Sequence, residues 1–135
     1  MKRRHFFAQI DDPAIQAAIQ KAEISTTGKI HVYVCHHGVV DALPIAQQHF
    51  SRLGMDRTPQ RNAVLIFVAP ESHKFAVIGD KAVHEKCGDE FWSRVAAEMV
   101  EYFKKDQWTA ALTHGISKAG QLLSEHFPAG TRASK

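Results

Sequence analysis

The sequence predicts an α/β fold with a small mixed sheet, and three observations support this prediction. Every position from Ala63 to Ala69 is apolar, whereas a strand with one face in water alternates apolar and polar side chains. Turn-like residues 70–74 follow this run, and a second β-rich run, 75–80, ends in Gly-Asp. An alternating segment and a helical segment precede the apolar run. We therefore expect a βαβ unit followed by an antiparallel hairpin.

The N-terminal part of the chain predicts a first helix that begins at Asp12-Pro13 and ends near Ser25. Aspartate is a preferred N-cap, and proline suits the first helical position. Apolar residues then recur at spacings of three and four, which places them on one face: Ile15, Ala18, Ile19 and Ala22. Residues 26–28, Thr-Thr-Gly, predict a turn.

The first strand and the second helix are predicted from residues 29–54. Isoleucine and valine alternate with polar or aromatic residues from Lys29 to Cys35. Asp41 is expected to cap the second helix and Gly54 to end it. The expected buried stripe of this helix is Leu43, Ala46, Phe50 and Leu53. Because a strand, a helix and a strand follow in order, the two strands should be parallel and joined by a right-handed crossover.

The C-terminal half predicts a charged loop and then two long helices. Residues 81–88 carry several charges and are predicted as the loop, and Asp89 is expected to start the third helix. The fourth helix is expected to begin near Trp108 and to end before Pro128. Both helices carry an apolar stripe, which we interpret as core. Its main members are Trp92, Val95, Met99, Leu112, Ile116, Ala119 and Leu123.

At 135 residues, the chain is long enough for one domain with a real core. We assign residues 11–128 to this domain, 1–10 to an N-terminal tail and 129–135 to a disordered C-terminal tail. The basic N-terminus begins like a signal peptide, but Asp11, Asp12 and Pro13 interrupt any apolar region. We expect a cytoplasmic monomer without a transmembrane segment.

Composition excludes some classes of function. The net charge is +3, and the basic residues are scattered among acidic ones, so nucleic acid is not an expected partner. Two cysteines do not make a disulfide framework, and Cys35 and Cys87 are expected to be buried or inert thiols. The sequence contains no nucleophile elbow, no Walker loop and no H-E-x-x-H motif.

The predicted topology collects polar residues at both ends of the sheet. The carboxyl ends of the parallel strands carry His36, His37 and His73, which are ligands that zinc accepts. Adjacent side chains on a strand face opposite ways, however, and exposed loop histidines are the simpler interpretation.

The opposite end of the sheet combines acidic and basic residues. Asp80, Glu85 and Asp89 are hard oxygen ligands of the kind that Ca²⁺ or another divalent cation accepts. Lys29 and Arg61 could instead neutralise these acids, or bind an anion. A metal site and a salt-bridged rim are therefore both compatible with the residues.

Four segments in a fixed order resemble the TPM domain, a family named after thylakoid-lumen, photosystem II repair and receptor-accessory proteins. Residues 22–28, Ala-Glu-Ile-Ser-Thr-Thr-Gly, resemble the segment before the family's first strand. Residues 62–69 resemble its "NGVLLLVA" strand, and residues 75–80 resemble the strand that follows. Phe91-Trp92 and residues 108–116 match its last two helices. The resemblance covers about residues 12–127.

The resemblance implies a three-layer α/β/α sandwich, loosely Rossmann-like, with about four helices. It also implies a divalent metal site. The activity that it implies is disputed, and some members are described as acid phosphatases. Other members act as accessory factors for membrane complexes, and bacterial members often accompany LemA-type membrane proteins. This sequence departs from the family pattern at Lys29 and Arg61, where acidic residues are common, and at Ala63, where glycine is common.

The residues and the resemblance together leave two main hypotheses about function, beside a structural possibility that Ca²⁺ or Zn²⁺ merely fixes a loop. The sequence leaves open whether the protein is an enzyme. In the first, the protein is a non-catalytic accessory module that binds a membrane-associated partner. In the second, it is a metal-dependent phosphatase-like hydrolase. Asp80 would then bind metal or act as the nucleophile, Glu85 and Asp89 would support it, and Lys29 or Arg61 would hold phosphate.

Overall fold

The computed structural model of the chain describes residues 12–35, 38–69, 72 and 74–128. The predicted tails and the candidate residues His36, His37 and His73 lie outside these ranges, as do the side chains of Cys87 and Asp89. The elements in chain order are α1 (Asp12–Glu23), β1 (Lys29–Val34), α2 (Ala42–Arg52), a 3-10 turn (Met55–Arg57), β2 (Ala63–Ala69), β3 (Lys74–Gly79), α3 (Lys81–Lys104) and α4 (Trp108–His126).

The strands form a sheet in the order β1-β2-β3. β1 pairs with β2 in parallel, with Lys29 opposite Ala63. β2 pairs with β3 in the antiparallel sense, with Val64 opposite Gly79 and Ala69 opposite Lys74. The predicted βαβ unit and hairpin are both confirmed.

β2 is buried on both faces, as its continuous apolar sequence predicts. Alternate residues point into two separate cores, and none of its seven residues is more than 1% exposed. Val64, Ile66 and Val68 pack against α1, α3 and α4. Residues on the other face, such as Leu65 and Phe67, pack against α2 and the 3-10 turn. This arrangement is the three-layer α/β/α sandwich with a mixed sheet.

α2 begins and ends where the sequence predicts, but its buried face differs. Asp41 Oδ1 accepts a hydrogen bond from the Leu43 amide at 3.3 Å, and Gly54 follows the helix with φ of 75°. The buried residues are Ala42, Ala46 and Phe50, at spacings of four. Leu43 and Leu53 are 48% and 45% exposed, so their assignment to the buried stripe is wrong.

Residues 81–87 are helical, so the predicted charged loop over 81–88 is wrong. α3 begins at Lys81, directly after its N-cap Asp80, and is interrupted by non-helical geometry at Gly88 with φ of 76°. Val83 in this first part is fully buried in the main core. The predicted start at Asp89 therefore coincides with the break inside α3. A charge-rich sequence conceals this helical segment because so few of its positions face the core.

α1 and α4 approach each other closely. A Cβ atom at Gly120 of α4 would lie 2.6 Å from Ala22 Cβ and 3.1 Å from Ala22 Cα. The turn after α1 is also attached to the end of α4, because Thr26 Oγ1 donates to the Phe127 carbonyl at 2.6 Å. The helix ends just before Pro128, as predicted.

We expect Gly120→Ala to destabilise the protein more than Gly115→Ala. The new methyl group at residue 120 meets the backbone of Ala22, whereas at residue 115 it meets the flexible side chain of Met99. Overpacking typically costs about 1–3 kcal/mol, while the better helix propensity of alanine returns up to about 1 kcal/mol. Chemical denaturation of both variants measures the difference. Equal stabilities would contradict close packing of α1 on α4.

Candidate functional site

The candidate site lies where β2 begins and β3 ends. The Asp80 amide donates to the Ala63 carbonyl at 2.9 Å, which extends the pairing of β3 with β2 by one residue. The Ala82 amide donates to the Arg61 carbonyl at 3.0 Å. Arg61 has φ of 53°, a left-handed conformation that is uncommon for a residue other than glycine. The backbone therefore joins the loop before β2 to the first turn of α3.

A bidentate ion pair between Arg61 and Asp80 forms the centre of the site. Arg61 Nε donates to Asp80 Oδ2 at 2.7 Å, and Arg61 Nη2 donates to Oδ1 at 2.9 Å. Oδ1 also accepts the Lys81 amide at 2.8 Å, which caps α3. The Asp80 side chain is only 6% exposed, whereas that of Arg61 is 44% exposed. Charge-assisted pairs of this geometry are stronger and more directional than neutral hydrogen bonds.

The surroundings of Asp80 favour its ionised form. Burial alone raises the pKa of Asp80, but other effects outweigh it: the hydrogen bonds from Arg61, the hydrogen bond from the Lys81 amide, and electrostatic interaction with Arg61 and then His84. The net pKa of Asp80 lies below its ordinary value of 3.8. Hydrogen bonding to Asp80 correspondingly raises the pKa of Arg61. The pair is therefore fully charged at neutral pH.

A second set of hydrogen bonds is centred on Asn62, the residue that follows Arg61. Asn62 is 2% exposed, and its Nδ2 donates to Thr27 Oγ1 at 3.1 Å and to Gln60 Oε1 at 3.4 Å. Thr27 Oγ1 in turn donates to Gln60 Oε1 at 2.9 Å. These bonds satisfy the buried amide and join the turn before β1 to the loop before β2. Nothing in the polar loop before β2 singles out Gln60 in the sequence.

The structure brings some of the predicted site residues together and leaves others apart. Arg61 and Asp80 are in direct contact, as the salt-bridge interpretation predicts. Lys29 at the start of β1 and Glu85 in the second turn of α3 are exposed. Within the described ranges, no three His, Cys, Asp or Glu side chains are grouped so that they could hold a metal ion. Since the Asp89 side chain is outside those ranges, the metal set Asp80, Glu85 and Asp89 stays a prediction.

We expect Asp80→Ala to be less stable than Asp80→Asn by about 1 kcal/mol, because asparagine still caps α3 and alanine does not. Urea unfolding measures the difference. Asp41→Ala and Asp41→Asn are suitable controls, since Asp41 caps α2 from an exposed position through the Leu43 amide. Equal stability of the two Asp80 variants would contradict a capping role.

The ion pair also predicts a pH dependence. A carboxyl group with a lowered pKa stabilises the fold fully above the pKa of the unfolded chain, and this contribution is lost as the pH falls through the folded pKa. The stability difference between wild type and Asp80→Asn should be constant above about pH 5 and shrink below the ordinary aspartate pKa of 3.8. Urea unfolding at a series of pH values tests this. A difference that grows on acidification would contradict it.

Comparison with solved structures finds relatives over most of the chain. The first is the NMR structure of the BA42 protein from the psychrophilic bacterium Bizionia argentinensis, with 35% identity, a TM-score of 0.81, and coverage of 89% of this chain and 83% of that one. The N-terminal domain of cg2496 from Corynebacterium glutamicum has 19% identity and a TM-score of 0.64, with coverage of 82% and 70%. An N-terminal domain from P. gingivalis has 12% identity and a TM-score of 0.64, with coverage of 89% and 76%. The last two show the fold alone.

No curated protein matches this sequence significantly. None of the helices in the described part of the chain is long and apolar enough to cross a bilayer. The TPM domain family matches residues 2–122, which is most of the chain. The family match and the similarity to BA42 agree with the four segments identified in the sequence, and the chain belongs to the TPM domain family.

Proposed function

We propose that this protein is a non-catalytic TPM-domain module that assists a membrane-associated protein by binding to it. The observation that carries the proposal is the engagement of Asp80, the candidate catalytic carboxylate. Both of its oxygens accept hydrogen bonds from Arg61, and one also accepts the first amide of α3. Asp80 therefore has a structural role that competes with a chemical one.

The arrangement of charge supports binding over catalysis. A nucleophile or a metal ligand needs an oxygen that can reach phosphorus or the metal, and the Asp80 side chain is 6% exposed. The Arg61 guanidinium already supplies the positive charge that a divalent cation would contribute. Asp80 as it is placed does not fit a cation, since the guanidinium lies against both carboxylate oxygens.

Exposed apolar side chains at the start of α2 are candidates for contact with the partner. Val40 is 93% exposed and Leu43 is 48% exposed, on either side of the cap residue Asp41. Burial of such side chains is the main source of binding energy in protein interfaces. The resemblance to TPM-domain proteins suggests the class of partner, a LemA-type membrane protein.

We expect wild type and Asp80→Asn to hydrolyse p-nitrophenyl phosphate equally, at the background rate, with and without added Mg²⁺ or Ca²⁺. The reason is that the Asp80 carboxylate is occupied by Arg61. A colorimetric assay over a range of pH values measures the rates. A wild-type rate above background that disappears in Asp80→Asn would contradict the proposal and favour the phosphatase-like hydrolase.

We expect the wild-type protein to retain one stoichiometric membrane-protein partner from a native detergent extract. The double variant Val40→Ser/Leu43→Ser should lose it, because the exposed apolar contact is removed. Ile24→Ser is the matched control. Ile24 is also an exposed apolar residue, at 73%, but it lies just after α1 and not at the start of α2. Failure of the wild type to retain any stoichiometric partner would contradict the proposal.

We expect Ca²⁺ to bind Arg61→Asn more tightly than wild type. This substitution removes the guanidinium that competes for Asp80, and asparagine tolerates the positive φ at this position. Ca²⁺ titrations followed by amide NMR shifts of residues 80–90 compare the two proteins. If the wild type and the variant bound Ca²⁺ at these residues with equally high affinity, Arg61 would not exclude the cation.

A further inference from the structure

A cleft lies at the opposite end of the sheet from the Arg61–Asp80 pair. It has a volume of about 370 Å³ and lies between the start of β3, the last turn of α3 and the beginning of α4. This volume falls within the range typical of small-molecule pockets. At this end of the sheet, Ala69 at the carboxyl end of β2 pairs with Lys74 at the start of β3. Open α/β sheets generally bind ligands at that end.

The wall of the cleft is aromatic and partly accessible. Phe103 is one of the lining residues, and its ring centroid lies 5.0 Å from that of Phe75 and 4.6 Å from that of Trp108. Phe75, Val100 and Phe103 are only half-buried, whereas Trp108 is 3% exposed. An apolar ligand would therefore remove existing apolar surface from water without opening the core.

Three exposed charged residues are among those that line the cleft: Lys74, Lys104 and Asp106. Lys104 Nζ lies 4.0 Å from Glu101, but both side chains are more than two-thirds exposed, so this contact holds the ammonium only weakly. The lining groups have a net positive charge, which favours an anionic head group over a cationic one.

Asp106 adopts an uncommon backbone conformation at this rim. Its φ is 58°, and within the described ranges only Arg61 shares a positive φ without being glycine. The Asp106 amide donates to the Phe103 carbonyl at 3.0 Å, which closes the end of α3. Glycine is the usual residue at such a position because it adopts this conformation without strain. Aspartate also tolerates this conformation, and here it adds a negative charge to the lining of the cleft.

We propose that this cleft binds a small amphipathic carboxylate, an aromatic or short aliphatic acid. Its apolar body would cover Phe75 and Phe103, and its carboxylate would pair with Lys74 and Lys104. Asp106 would repel the head group from its own side of the rim and so orient it toward the lysines. This inference goes beyond the proposed accessory function and does not depend on it.

The test uses 4-phenylbutyrate and its neutral isostere 4-phenylbutanamide, titrated into the ¹⁵N-labelled full chain. We expect amide shift changes at residues 74–75 and 100–108 for both probes, with the acid bound about fivefold more tightly than the amide, since the ion pairs are exposed. Lys74→Gln/Lys104→Gln should reduce the affinity for the acid to that for the amide. Asp106→Asn, which keeps a residue that tolerates positive φ, should strengthen binding of the acid about twofold to threefold.

The matched control is Lys29→Gln/Lys81→Gln, which removes two exposed lysines at the other end of the sheet. It should bind both probes as the wild type does. Val100→Phe should fill the cleft and abolish binding of both probes while its rim charges remain. The proposal is overturned if the acid shifts none of the cleft residues, if acid and amide bind equally, or if the control pair loses binding instead.

Discussion

Burial of β2 on both faces is the constraint on which the rest of the structure depends. Its side chains alternate between two cores, and its backbone pairs with β1 on one side and β3 on the other. The polar backbone groups of this strand are therefore hydrogen-bonded, and its apolar side chains are packed, away from water. Helices must cover both faces of the sheet, and polar chemistry is confined to the two ends of the strand. Both sites considered above lie at those ends.

The end at which β2 begins is organised by one carboxylate with several partners. Asp80 continues the strand pairing through its amide, caps α3 and binds Arg61 through its side chain. Because Arg61 directly precedes Asn62, the ion pair holds the entry of β2 against the start of α3. A group with so many structural partners resists the changes in coordination that catalysis requires. This is the physical reason for assigning Asp80 a structural role and not a catalytic one.

Membership of the TPM domain family determines the architecture but does not by itself determine the activity, because function resides in particular residues placed on a fold. The two ends of the sheet differ in character here. The Arg61–Asp80 end is neutralised and tightly hydrogen-bonded, whereas the cleft at the other end is apolar, partly accessible and bordered by lysines. The sequence drew attention to the first end because segments that resemble the TPM domain meet there, at Asn62 and Asp80. The sequence does not indicate the cleft, because Phe103 and Trp108 have the spacing of ordinary core residues.

The sequence by itself determined the sheet topology, the two-sided burial of β2 and the positions of the caps Asp41 and Gly54, since these depend on local pattern and on short connections. It also placed Arg61 and Asp80 at the same end of the sheet. Only the tertiary structure decided that the two form a bidentate pair, that residues 81–87 are helical, and that Asn62 Nδ2 donates to Gln60 and Thr27. The ion pair and the bond between Asn62 and Thr27 join segments distant in sequence, and their geometry is set by how α3 and the loops pack on β2. Local sequence patterns carry no information about such distances.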